Sequence, residues 1–150
     1  MTTAHTTWIL IADAACADVL QTNGIGQKLL PVSGFAIERH IPAGRVLTSE
    51  RPTRTHDSVG DGRHGIEPKS DPRRALKRAF AEEIAERLDA AVHAQAFDRL
   101  VVAAPPAMLG DLRNSFTRAV RERIIAEIPH DLVKVPHKDL RRHLEPHVAV

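Results

Sequence analysis

The chain has 150 residues, 43% hydrophobic and 27% charged, with a formal net charge of +2 and nine histidines. That is enough for one domain with a real core, in the composition of a soluble globular protein. It excludes a membrane span, since no apolar run approaches the ~20 residues required, and it excludes an intrachain disulfide, since Cys16 is the single cysteine.

A lone cysteine carries no sign of an oxidising compartment, so a cytoplasmic location is expected. The first residues lack a basic n-region, and Asp13 interrupts their apolar run, so they read as a strand and not as a signal peptide. The mild basic excess permits contact with RNA or anionic surfaces without demanding it. Trp8, Phe35, Phe80, Phe97 and Phe116 are too few aromatics for a base-stacking platform.

In chain order, "TWILIADA" (7–14) is β-branched, apolar and short, which predicts a buried strand. "ADVLQT" (17–22) alternates as a second strand. "NGIG" (23–26) is a turn signal, so 27–40 should return antiparallel as a third strand. Pro31 and Gly34 within it suggest an edge position or a bulge. From 42 to 70 periodicity disappears among charges, Pro and Gly, which predicts a long mobile loop.

Asp71-Pro72 then opens a helix, as an N-cap followed by a first-turn proline. Leu76, Phe80, Ile84, Leu88 and Val92 recur every fourth residue, giving it one apolar face. "FDRLVVAA" (97–104) predicts a buried strand ended by Pro105-Pro106. A second amphipathic helix is expected over 107–127, on Leu109, Leu112, Phe116, Val120, Ile124 and Ile128. A short last strand over 130–136 and a closing helix over 137–146 complete the chain. The order β-β-β-α-β-α-β-α predicts a single α/β domain over 1–150. Its sheet would be mixed and five-stranded: a meander first, then parallel strands joined by right-handed crossovers. Ribonuclease H-like folds, including some translation-machinery domains, share this order.

Four constellations invite a chemical reading. Asp13 falls at the carboxyl tip of the first strand, where open sheets place ligands. A nuclease would use such a carboxylate to hold Mg2+ together with further hard oxygen ligands. Asp98 lies at the other end of its strand, Glu82 or Glu83 would have to reach from the helix, and Asp111 comes late. The alternative is that Asp13 caps backbone amides in its own turn. His137, Asp139, His143 and His147 crowd the C-terminus without the spacing of a zinc motif, so no metal is expected. "APPAMLGDLR" (104–113) lacks the glycine patterns of phosphate-binding loops and reads as a strand-to-helix corner, where Gly110 allows close packing. Across 42–74 seven cations (Arg45, Arg51, Arg54, Arg63, Lys69, Arg73, Arg74) alternate with five acids. That pattern fits a solvated connector, or a loop that contacts RNA or a partner from a rigid scaffold.

The segments "WILIADAACADVL", "SERPTRTHDS", "GRHGIEPKSDPRR", "FAEEIAERL", "FDRLVVAAPPAMLGDLR" and "PHDLVKVPHKDLRRHL" together resemble the bacterial host attachment protein family, "protein required for attachment to host cells". They span nearly the whole chain in order. Such proteins are similar to the middle domain of archaeal and eukaryotic class I release factors. That resemblance implies a ribonuclease H-like sheet and a functional loop between the third strand and the long helix, inside 42–70. The release-factor loop carries Gly-Gly-Gln. Here it reads "GDGRHG" and 42–70 contains no glutamine, so no catalytic residue carries over. Gly60, Gly62, Arg63, His64 and Gly65 are candidates for ribosome contact, with Arg54, Arg73 and Asp13 beside them. The expected role is a non-enzymatic binding protein without a cofactor, whose partner is the ribosome or RNA. The alternative is a protein-binding regulator, or an adhesion-related factor, that acts indirectly on attachment.

Overall fold

A computed structural model describes residues 4–40 and 71–150, and the loop expected at 42–70 lies outside the described residues. β1 (Thr7–Ala12) is buried at every position because it sits in the middle of the sheet. It pairs antiparallel with β2 (Cys16–Thr22) on one side and parallel with β5 (Arg99–Ala103) on the other. A strand covered on both faces must be largely apolar, and every residue of β1 after Thr7 is. Successive side chains point to opposite faces. Trp8, Leu10 and Ala12 therefore join one core, and Ile9 and Ile11 the other.

Among the described residues the mixed sheet has six strands where five were expected. The expected third strand is split into β3 (Leu30–Pro31) and β4 (Ile37–Glu38), and both pair with β2. Pro31 has no N–H to continue a ladder, and Gly34 takes a left-handed φ of 80°. The chain bends there and tucks Phe35 into the core, edge-on to Trp8 at 6.0 Å between ring centroids. Trp8 also stacks on Phe97 at 4.8 Å.

The first core lies under α1 (Pro72–His93), α2 (Pro106–Ser115) and α3 (Arg118–Arg121). Asp71 caps α1 by accepting the Arg73 N–H at 3.0 Å, and Pro72 occupies its first turn. Phe80, Ile84, Leu88 and Val92 are buried as expected, whereas Leu76 is 42% exposed. A helix of 22 residues is about 33 Å long, and the six-residue β1 spans only about 20 Å. The helix is thus longer than the strand it covers, and its first buried residue is Phe80.

The second core lies under the C-terminal segment and α4 (His137–Leu144), through Leu132, Leu140, Leu144 and Val150.

Two expectations are corrected here. The helix expected over 107–127 stops at Ser115, where Phe116 turns extended, and Thr117 caps the short α3. Ile124–Ile128 then forms β6, parallel to β5. Phe116, Val120, Ile124 and Ile128 mimic a helical stripe, but pairing with β5 outweighs that local period. The strand expected over 130–136 is absent. That stretch is a pair of turns, with the Val133 N–H donating to the Asp131 carboxylate and the Val135 N–H to the Leu132 carbonyl.

Candidate functional site

β1, β5 and β6 run parallel, so their tips at Ala12, Ala103 and Ile128 share one end of the sheet. The Arg39 N–H donates to the Ala15 carbonyl at 2.7 Å, which fixes residue 39 beside the β1–β2 turn at that end. The Arg39 guanidinium also pairs with Glu83 of α1. The first turn of α1 is held to α2 by Arg74, whose Nη1 and Nη2 donate to Asp111 Oδ2 and Oδ1 at 2.6 and 2.7 Å. The described residues that flank 41–70 therefore both stand at the carboxyl end of the parallel strands. Open α/β sheets place ligands at that end.

Asp13 sits there as expected, but its carboxylate closes its own turn. Oδ1 accepts the Ala15 and Cys16 N–H groups at 2.8 and 2.7 Å. The other acids are engaged elsewhere: Asp111 with Arg74, Glu83 with Arg39 and, at 3.7 Å, Arg87. Glu82 lines a separate groove with Asp89 and Asn114. Asp98 accepts the Thr6 N–H at the opposite end of the sheet. Among the described residues no three His, Cys, Asp or Glu side chains converge as a metal site would require.

A cleft of about 380 Å3 opens beside the same turn, between the β2–β4 edge and residues 132–140. Ile11, Leu132, Val133, Val135 and Leu140 supply apolar wall, while Cys16, Asp18, Glu38 and His137 supply polar atoms. Cys16 and Asp18 are two apart on β2 and point the same way, and Glu38 stands opposite Cys16 in register. His137 Nε2 lies 3.5 Å from Asp18 Oδ2. Burial, then the charges of Asp13, Glu38 and Asp131, push the Cys16 thiol above its ordinary pKa. A thiol so held stays protonated at neutral pH, which is the reverse of what activates a nucleophilic cysteine.

The remaining C-terminal histidines do not gather with His137. The rings of His130 and His147 lie 5.7 Å apart, and His143 is exposed. Gly110 is also corrected: a Cβ added there meets nothing within 4 Å, so close packing does not require glycine.

Of the sequence-derived candidates, Asp13 and Arg73 lie within the described residues, both at the carboxyl end. Arg54, Gly60, Gly62, Arg63, His64 and Gly65 lie outside them. Two groupings were missed. The Arg74–Asp111 pair spans 37 positions, and no local motif announces it. The cleft quartet left one trace, the alternation Cys16-x-Asp18, which has no meaning until β4 and residue 137 are placed beside it.

No curated protein matches the chain. Two solved structures are similar at 12% identity and a TM-score of 0.46, an archaeal translation termination factor, aRF1, and a second described as an archaeal protein. The match covers 94% of this chain but only 38% and 37% of theirs, so this chain spans well under half the length of either. The model of the family described as "Protein required for attachment to host cells" matches residues 8–144, from β1 to the last residue of α4, and the chain belongs to that family.

Proposed function

We propose that the protein is a non-enzymatic binding protein that contacts RNA or the ribosome through the carboxyl end of its sheet and the 41–70 segment. The observation that carries this reading is the anchoring of both flanks at that end, by Arg39 on Ala15 and Glu83 and by Arg74 on Asp111. In this reading Arg54, Arg63 and Arg73 meet phosphates. Gly60, Gly62 and Gly65 let backbone approach the nucleic acid, His64 contributes a ring donor, and Asp13 holds the neighbouring turn. The carboxylates at this end are spent on structural bonds, which supports binding in preference to phosphodiester cleavage.

Cosedimentation with purified ribosomes tests the proposal. Binding at low salt should fall steeply with added salt and weaken in the Arg63→Ala plus Arg73→Ala variant. No cosedimentation at low salt, or capture of a single protein partner unaffected by nuclease, would overturn it.

A further inference from the structure

We infer that the cleft between the β2–β4 edge and residues 132–140 binds a small organic cation with an apolar body, an alkylammonium or alkylguanidinium. This goes beyond the RNA reading and requires none of residues 41–70. The volume of about 380 Å3 is that of a small-molecule pocket. Ile11, Leu132, Val133, Val135 and Leu140 offer an apolar body a matching wall. The polar groups on that wall set the sign of the ligand. Among the described residues Asp18 and Glu38 bring two carboxylates, against the single imidazole of His137.

Among the described residues, Asp18 keeps one oxygen for a ligand. Its Oδ1 accepts the Val19 N–H at 2.8 Å, while among the described residues Oδ2 has His137 Nε2 at 3.5 Å, a loose contact that an ammonium would improve on. The surroundings reinforce this choice. Asp13, Glu38 and Asp131 all act on the Cys16 thiol in the wall, opposed by Lys134. A carboxylate ligand would meet net repulsion in the same place, and an uncharged alcohol would leave the acids without a partner.

Cys16 provides the readout, because it is the single cysteine and it lines the cleft. Alkylation of the full chain by iodoacetamide is followed with hexylammonium, hexanoate or plain ammonium present. Hexylammonium at ten times its Kd should slow the reaction about tenfold, while hexanoate and ammonium leave it unchanged. The Asp18→Asn plus Glu38→Gln variant keeps the acceptor for Val19 and should lose the protection while its melting temperature holds. Equal protection by hexanoate, no protection by hexylammonium, or full protection in a folded double variant would each overturn the assignment. If the double variant unfolds, the ligand comparison in the unmodified protein decides.

Discussion

Arg74 and Asp111 form a two-pronged ion pair that joins the first turn of α1 to the middle of α2, with N–O distances of 2.6 and 2.7 Å. The Asp111 side chain is 6% exposed and the Arg74 side chain 40%. The parallel fork matches carboxylate geometry, and the hydrogen bonds with the charge of Asp111 push the Arg74 pKa up. No residue of α1 before Phe80 is buried, so its first turn rests on little core. The pair supplies the lateral attachment that packing does not.

Asp111→Ala should therefore lower the melting temperature and loosen the start of α1 more than its end. The global loss should be smaller than for Leu88→Ala, a fully buried position where truncation costs about 2–5 kcal/mol, because Arg74 can rehydrate. Arg74→Lys should fall between the unmodified protein and Asp111→Ala, since an ammonium cannot make both prongs. Thermal melts ranked in any other order, or uniform hydrogen exchange along α1, would contradict this role.

Gly110→Ala should stabilise the protein by about 0.5–1 kcal/mol, through the unfolded chain and through helix propensity. Gly110 is inside α2, with open space where a methyl group would go. Denaturant titration reads the gain as a higher midpoint at constant m. A loss of stability would show that the helix needs its glycine after all.

Asp13 separates a turn from a catalytic carboxylate. Asp13→Asn keeps an Oδ1 acceptor for the Ala15 and Cys16 amides and should be nearly neutral. Asp13→Ala strands both donors and should cost about 1–3 kcal/mol. Equal losses in the two variants would mean that the charge matters beyond the hydrogen bonds.

Alkaline pH should expose the Cys16 thiol. Its pKa is raised in the folded protein, first by burial and then by Asp13, Glu38 and Asp131. Between the ordinary thiol pKa and the raised one, the native state holds a proton that the unfolded chain has released. The stability tied to this group is complete below the unfolded pKa and is lost as pH rises through the folded value. Melting temperature should thus fall more steeply above the ordinary thiol range in the unmodified protein than in Cys16→Ser. The alkylation rate should also titrate at higher pH than in the denatured chain. Parallel melting curves would contradict the shift.

Features set by near neighbours were legible in the sequence. Asp71-Pro72 starts α1 because a cap and a first-turn proline act within three residues. The every-fourth-residue period buries Phe80 through Val92 because helix geometry alone puts them on one face. Pro31 and Gly34 gave notice of a broken edge, though not of two strands.

The segment 116–128 shows the limit, because its stripe satisfied a helical period while its last five residues, Ile124–Ile128, paired with β5. A β-branched run such as Ile124-Ile125 accepts either form, and the unpaired edge of a strand 24 positions away made the choice.

The chain's own order of residues thus settled caps, the long helix, the central strand and the α/β class, since each depends on contacts a few positions apart. Tertiary structure alone decided that Arg74 meets Asp111. It also gathered Cys16, Asp18, Glu38 and His137 along one cleft. Those groupings are made by strand register and by the crossing of the C-terminal segment over the sheet. Such long-range placements leave no periodic mark on the residues they bring together.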